Sequence, residues 1–442
     1  MIHMRHAIFF FLFFIATGLY AQMLPIVQTP QLPTVNVPQI PGLNQNRSNN
    51  PQVNPFNTID HDAINQRNQQ IINEALEYQR QVAARSNPQT DVEMLATNGF
   101  PSQSSMEGTS NFYESFVEIN NMLLGKQPLS LGRAVFLVEN SYYGNTLEYS
   151  DFQNTLKEKV WLCSQKIKED KLDANNDMVK NMMLFRLVSD TLKIKPTGTE
   201  KAITNYPIKY DLDDYKSETN YDSHFVTKLM KSGKGQCYSM PLYYLVLAEQ
   251  MGANASLAFS PRHSFIKIQD EKGAWYNLEL TCNAILSDAH YMNNSYIKAE
   301  AIRNRIYLEP LNKKEVVAGM LLELARGYYD KYGLDDFYLK CVDTALLYSK
   351  KDINALIMKA VYEERLTLTL AKLLEAPKPE IMKEKSPRAY LHYEKMQALY
   401  KQIDGMGYEE LPAAIYSKWL EYLDEQKEKS RKDNTVRING LR

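Results

Sequence analysis

Residues 233–252, GKGQCYSMPLYYLVLAEQMG, constrain the fold more than any other stretch of this chain. Two glycines and a glutamine lead into Cys237, and the run after it is apolar almost all the way round. A helix apolar on every side must be enclosed by the rest of the protein. The pattern therefore predicts a central buried helix, with Gly252 at its C′ position to stop it. Cys237 then stands at the helix N-terminus, where unpaired backbone N–H groups and the macrodipole stabilise negative charge. The same amides are suited to an oxyanion, and Gln236 is a candidate second donor. A cysteine in an apolar helix is more often packing than chemistry. Its position at the helix start, rather than mid-face, singles Cys237 out.

A short strand, ASLAF at 255–259, comes next, followed by a Ser-Pro-Arg turn into HSFIKI at 263–268. After a polar turn, Gln269 to Gly273, the run AWYNLEL at 274–280 alternates like a strand. In the first hairpin strand His263, Phe265 and Lys267 share a face; in the second, Trp275, Asn277 and Glu279 do. A hairpin centred on Glu271 sets Glu279 across from His263, and one centred on Asp270 sets Asn277 there. Either residue can accept from the imidazole and fix its tautomer while the other ring nitrogen faces a thiol. His61, His224, His290 and His392 lie in no comparable context.

The strings GQCYSMPLYYLVLAEQMG, SPRHSFIKI and WYNLELT resemble the transglutaminase-like superfamily, part of the papain-like group of thiol enzymes. In that family a Cys opens the central helix, a His begins the second strand after it, and an Asp lies near the end of the third strand, before a Pro-Thr pair. Matched by position, the resemblance gives Cys237 the nucleophile's place, His263 the base's and Glu279, two before Thr281, the acid's. The chain departs from the family with Glu for Asp and with Leu280 where Pro is usual, so Asn277 stays open as the orienting residue. The resemblance spans residues 220–285. It implies an acyl-enzyme formed at a peptide or carboxamide bond, with hydrolysis or acyl transfer to follow, and a protein or peptide substrate. It does not choose among peptidase, amidase, deamidase and transferase. Families of this fold also contain members that have lost activity, so an inactive interaction scaffold is the alternative.

The rest of the chain frames that segment. Residues 1–22 carry a basic start (His3, Arg5, His6), an apolar run from Ala7 to Ile15 and small residues at Ala16, Gly18 and Ala21. This reads as a secretory signal peptide cleaved near Ala21 or Gln22. The run is shorter than the roughly 20 residues of a membrane span, so a secreted or periplasmic protein with no stable span is expected. Residues 23–58, rich in Pro, Asn and Gln, read as a disordered tether. Residues 59–110 read as a polar helix, Asp60 to Ala84, and a loose linker. The thiol domain is expected over 111–312, with helices at Phe112–Leu123, Phe152–Lys168, Met178–Leu192 and Tyr221–Lys231. An all-helical region is expected over 313–430: Val316–Tyr332, Asp335–Ser349, Ile353–Leu374, Pro387–Asp404 and Leu411–Lys429. A tetratricopeptide-like array and a plain helical appendage fit it about equally, since no clean period near 34 residues runs through it. A groove between these helices is a candidate site for a protein partner. Residues 431–442 form a basic tail. The expected class is thus α+β, a helix-rich papain-like domain with a small antiparallel sheet followed by helices.

Composition excludes several functions. With 51 Lys+Arg against 52 Asp+Glu there is no electrostatic footprint of a nucleic-acid binder. Four cysteines (Cys163, Cys237, Cys282, Cys341) in 442 exported residues are too few for a disulfide framework. There is no CxxC or HExxH spacing and no complete phosphate loop, so neither a metal nor a cofactor is expected.

Overall fold

The computed structural model describes residues 88–196, 198–214, 220–295 and 297–409. The segments expected to be a signal peptide, a tether, the helices at Asp60–Ala84 and Leu411–Lys429 and a basic tail lie outside them. What is described is mixed α and β, mostly helical, with small sheets.

Five helices come first: α1 (Pro88–Asn98), α2 (Thr109–Leu123), α3 (Leu131–Tyr142), α4 (Tyr149–Glu169) and α5 (Asp177–Ser189). Helix α3 starts where Ser130 accepts from Arg133 N–H, and α5 where Asn176 accepts from Val179 N–H, both N-cap arrangements. Residues 87–110 were expected to be a loose connection, yet α1 occupies much of this stretch and packs on the C-terminal helices. Among the residues of α1 whose burial is described, the buried apolar ones are Val92 and Ala96, too few to make a helical period. Helix α5 ends at Ser189, earlier than expected, and Leu192 belongs to a strand.

Strand β1 (Leu192–Ile194) pairs antiparallel with β2 (Ile203–Asn205), and β3 (Lys209–Tyr210) pairs parallel with β4 (Lys234–Gly235). Between β3 and β4 a 3-10 turn, Tyr221–His224, leads into α6 (Val226–Ser232). The helix expected at Tyr221–Lys231 is therefore split in two. The buried carboxylate of Glu139 on α3 accepts from Val226 N–H at 2.6 Å and Thr227 N–H at 2.8 Å, capping α6 from a distant helix.

Helix α7 (Ser239–Met251) is the central helix the sequence predicts, with every residue from Ser239 to Ala248 buried. Gly252, at φ 64°, ends it in the left-handed conformation. Gly235 lets α6 and α7 approach. A Cβ there would lie 2.4 Å from Leu229 Cδ1 and 2.8 Å from Met240 Cγ.

Strands β5 (Ser256–Ser260), β6 (His263–Gln269), β7 (Trp275–Glu279) and β8 (Ala284–Leu286) form one antiparallel sheet in chain order. Leu308 and Leu311 N–H bond back to Phe259 and Leu257 carbonyls, covering the outer edge of β5. One face of the sheet, with Leu257, Ile266, Ile268 and Leu278, joins the principal core around α7. The other, with Ala258 and Phe265, joins a second cluster containing Tyr291, Ala301, Ile357 and Ile403.

Beyond the sheet lie α8 (Asp288–Asn294), α9 (Ala299–Arg303), α10 (Lys313–Tyr332), α11 (Asp336–Tyr348), α12 (Ile353–Leu373), α13 (Pro379–Lys385) and α14 (Pro387–Gly405). Four of these match the helices expected in this region to within a few residues. The principal core continues across residue 312, because α10 packs on α2 and α3. Among the described residues no helix is long and apolar enough to cross a membrane.

Candidate active site

The hairpin register decides what meets His263. Ile266 pairs with Leu278 and Lys267 with Asn277, which centres the hairpin on Lys272, the midpoint of both pairs. This corrects both expected registers. The loop explains the shift: Asp270 Oδ1 accepts from Lys272 and Ala274 N–H, Asp270 N–H bonds Ala274 carbonyl, and Gly273 takes φ 83°. Asp270 and Ala274 thus close the turn. Asn277 consequently faces Lys267 rather than His263, and its side chain donates to Asp288 Oδ1 at 2.8 Å. Carrying the register one residue further sets Glu279 beside Phe265. From there it reaches His263 on the diagonal, a span open to a long side chain.

That reach is made. His263 Nε2 lies 2.6 Å from Glu279 Oε2. A side-chain hydrogen bond also joins the ring to Cys237, and with Nε2 committed to the carboxylate the nitrogen facing sulfur is Nδ1. The three side chains of the matched pattern therefore form one connected unit. Cys237 itself is half-buried, and the ring of His263 is 25% exposed, so solvent or a substrate has access.

Local structure delivers each member. Pro261 and Arg262, the latter at φ 58°, make the two-residue turn that starts β6 at His263. The first rung of the α7 ladder runs from Met240 N–H to Gln236 carbonyl. The amides of Cys237, Tyr238 and Ser239 precede that rung. Ser264 Oγ donates to Cys237 carbonyl at 2.6 Å, tying the helix start to the strand that carries the imidazole. Tyr238 hydrogen-bonds to the buried Glu323 of α10, which pairs with Arg326. Gln236 is buried. Its N–H donates to Ser239 Oγ at 2.9 Å and its side-chain amide to Asp214 carbonyl at 2.5 Å. It therefore straps the preceding loop to the helix start.

Glu279, on the last residue of β7, is 5% exposed in its side chain. Thr281 gives its Oε1 two bonds, from N–H at 3.0 Å and from Oγ1 at 2.7 Å. Tyr291 OH donates to Oε2 at 2.8 Å. Burial alone would raise this carboxyl, but the hydrogen bond and charge of His263, then the Thr281 bonds, bring it down to about 2. Burial works against a charged imidazole as well. Hydrogen bonds to Cys237 and Glu279 and the Glu279 charge outweigh it and raise His263 to about 10. Across neutral pH the pair is imidazolium and carboxylate.

Ser264, Thr281 and Tyr291 were not among the residues singled out from the sequence. The Thr follows from the WYNLELT string, but no periodic signal marks Ser264 or Tyr291. All four cysteines are free, with Cys163 and Cys341 buried and Cys282 exposed. Among the described residues no group of three or more His, Cys, Asp or Glu is placed to hold a metal. Comparisons with protein-family models, curated proteins and solved structures found no match.

Proposed function

We propose that this chain is an exported thiol enzyme of the transglutaminase-like, papain-like kind, acting on peptide or carboxamide bonds. The observation that carries the reading is one imidazole bonded on one side to Cys237 and, at 2.6 Å, to the buried Glu279 on the other. A thiol, a base and an orienting acid in series is the arrangement a covalent mechanism needs.

In the reaction Cys237 Sγ attacks the carbonyl carbon while His263 holds the thiol proton. The tetrahedral oxyanion is met by the amides at the start of α7. As the C–N bond breaks, His263 returns the proton to the leaving nitrogen, leaving a thioester on Cys237. Water, or an amine acceptor, then attacks the thioester with its proton taken by His263. Glu279 keeps the ring oriented and balances its charge throughout. Protein or peptide substrates suit an exported setting, where water is always present to complete hydrolysis. The leader-like first 22 residues support export.

The test is alkylation by iodoacetamide near neutral pH. The native chain is expected to react at Cys237 well above the rate of a free cysteine peptide, with the labelled residue identified by mass spectrometry. Labelling at that position is expected to vanish in Cys237→Ala and to fall at least about tenfold in His263→Ala. A native rate no faster than the peptide's instead supports an inactive scaffold and removes the enzyme.

A further inference from the structure

We propose that Tyr291 is a positioning residue, its hydroxyl holding the Glu279 carboxylate in the orientation that reaches His263. The catalytic consequence rests on the function proposed above; the positioning itself rests on geometry.

Glu279 reaches His263 diagonally across the hairpin, so its side chain needs a fixed direction. Four bonds supply it. Thr281 N–H and Oγ1 occupy Oε1 at 3.0 and 2.7 Å, while Tyr291 OH and His263 Nε2 share Oε2 at 2.8 and 2.6 Å. An ionised carboxylate offers about four lone-pair sites, so the tyrosine completes the set. Two donors on the same oxygen lock it from two sides, one from β6 and one from α8.

Tyr291 is itself held. Its ring stacks on Phe265 with centroids 4.0 Å apart and planes 10° from parallel. Phe265 lies two residues along β6 from His263, on the same face. Helix α8 is gripped at its first residue: Asp288 Oδ1 accepts from Lys267 Nζ at 2.7 Å and from Asn277 Nδ2 at 2.8 Å. Lys267, almost fully buried, also donates to Leu308 carbonyl at 3.0 Å. Tyr291 follows Asp288 by three residues, one turn of helix on. The Lys267–Asn277 pair of the hairpin thus pins α8, and α8 returns a hydroxyl to the His263–Glu279 pair. Asn277 acts on the site through this clamp rather than by touching the imidazole.

The titratable groups facing Glu279 are His263 from β6, Tyr291 from α8 and Cys282 from the loop after β7, with Asp288 acting in turn on Tyr291. Burial, then the neighbouring Glu279 charge and hydrogen bond, raises the Tyr291 hydroxyl above its ordinary value, so it remains a donor throughout the useful pH range.

The test is Tyr291→Phe in the full chain, which keeps the ring and removes only the hydroxyl. A donor to a carboxylate favours its charged form. The Glu279 carboxyl carbon, followed by 13C NMR, is therefore expected to titrate about one pH unit higher in the variant. Iodoacetamide labelling of Cys237 at pH 7 is expected to slow about fivefold, the loss of one ordinary hydrogen bond. Asp288→Asn, which loosens the clamp without touching the tyrosine, moves the titration in the same direction by less. An unmoved carboxyl titration in a folded Tyr291→Phe chain shows that the hydroxyl is merely satisfied there and overturns the proposal, whatever the thiol does. A titration that moves in a chain whose native thiol reacts no faster than a free cysteine peptide leaves the positioning intact and sinks the enzymatic reading alone.

Discussion

At the scale of single residues, Glu279, standing where the proposed family would have Asp, has a geometric reading. With the hairpin centred on Lys272 the carboxylate starts from a diagonal position, and the extra methylene closes the distance to 2.6 Å. Asp, one carbon shorter, would stop short of the ring. Glu279→Asp is therefore expected to lower Cys237 alkylation at least about tenfold, close to the effect of Glu279→Gln; full reactivity in the Asp variant would remove the diagonal-reach argument. The pair also has a pH window. His263 is raised from 6.5 to about 10, so its contribution to stability is whole below 6.5 and lost as pH climbs through 10. Glu279 is lowered from 4.5 to about 2, so its contribution is whole above 4.5 and lost as pH falls through 2. These describe one ion pair from its two ends: in the folded chain it stays ionised from above about 2 to below about 10, and its contribution to stability is whole between 4.5 and 6.5.

At the scale of elements, the helices on either side of the thiol depend on groups far away in sequence. Helix α6 has no cap of its own, and Glu139 of α3 supplies one. Burial raises that carboxyl from 4.5 to about 7, against the bonds from Thr227 and Val226 that lower it. The folded chain thus binds a proton here that the unfolded chain has released, and stability falls as pH rises from 4.5 to 7. Glu139→Gln does not titrate. Denaturant melts across this range should show the native chain losing up to about 3 kcal/mol relative to the variant, whereas parallel pH profiles would contradict this. Such long-range dependence limits what the sequence reveals. Helices α10, α11, α12 and α14 were legible because apolar residues recur at 3.6-residue spacing over three turns or more. Strands β1 to β4, two or three residues each, are too short for a period. Helix α1 buries too little to announce itself. The β6–β7 register was misjudged because it turns on side-chain bonds of Asp270 inside the loop, which no alternation pattern records.

At the scale of the whole molecule, the site lies where two cores meet. The principal core runs from α2 and α3 through α7 to α10 and holds the helix that presents Cys237. The second, on the opposite face of the sheet, holds Phe265 and Tyr291 together with Ile357 of α12 and Ile403 of α14. The sulfur is thus delivered from one core and the carboxylate's support from the other, with His263 at the strand end between them. The buried helix, the thiol and the imidazole were legible from residues 233–268, since burial on all sides and a turn-bounded strand are local signals. The second core's part in the site was not, because α8 to α14 bear on it only through tertiary contact. Whether Cys237, His263 and Glu279 act as one proton-sharing unit is read from 15N NMR of the His263 ring against pH. The ring is expected to stay doubly protonated through pH 8, titrating near 10 in the native chain and falling toward the ordinary 6.5 in Glu279→Gln. A native ring that titrates near 6.5, unmoved by that substitution, would contradict it.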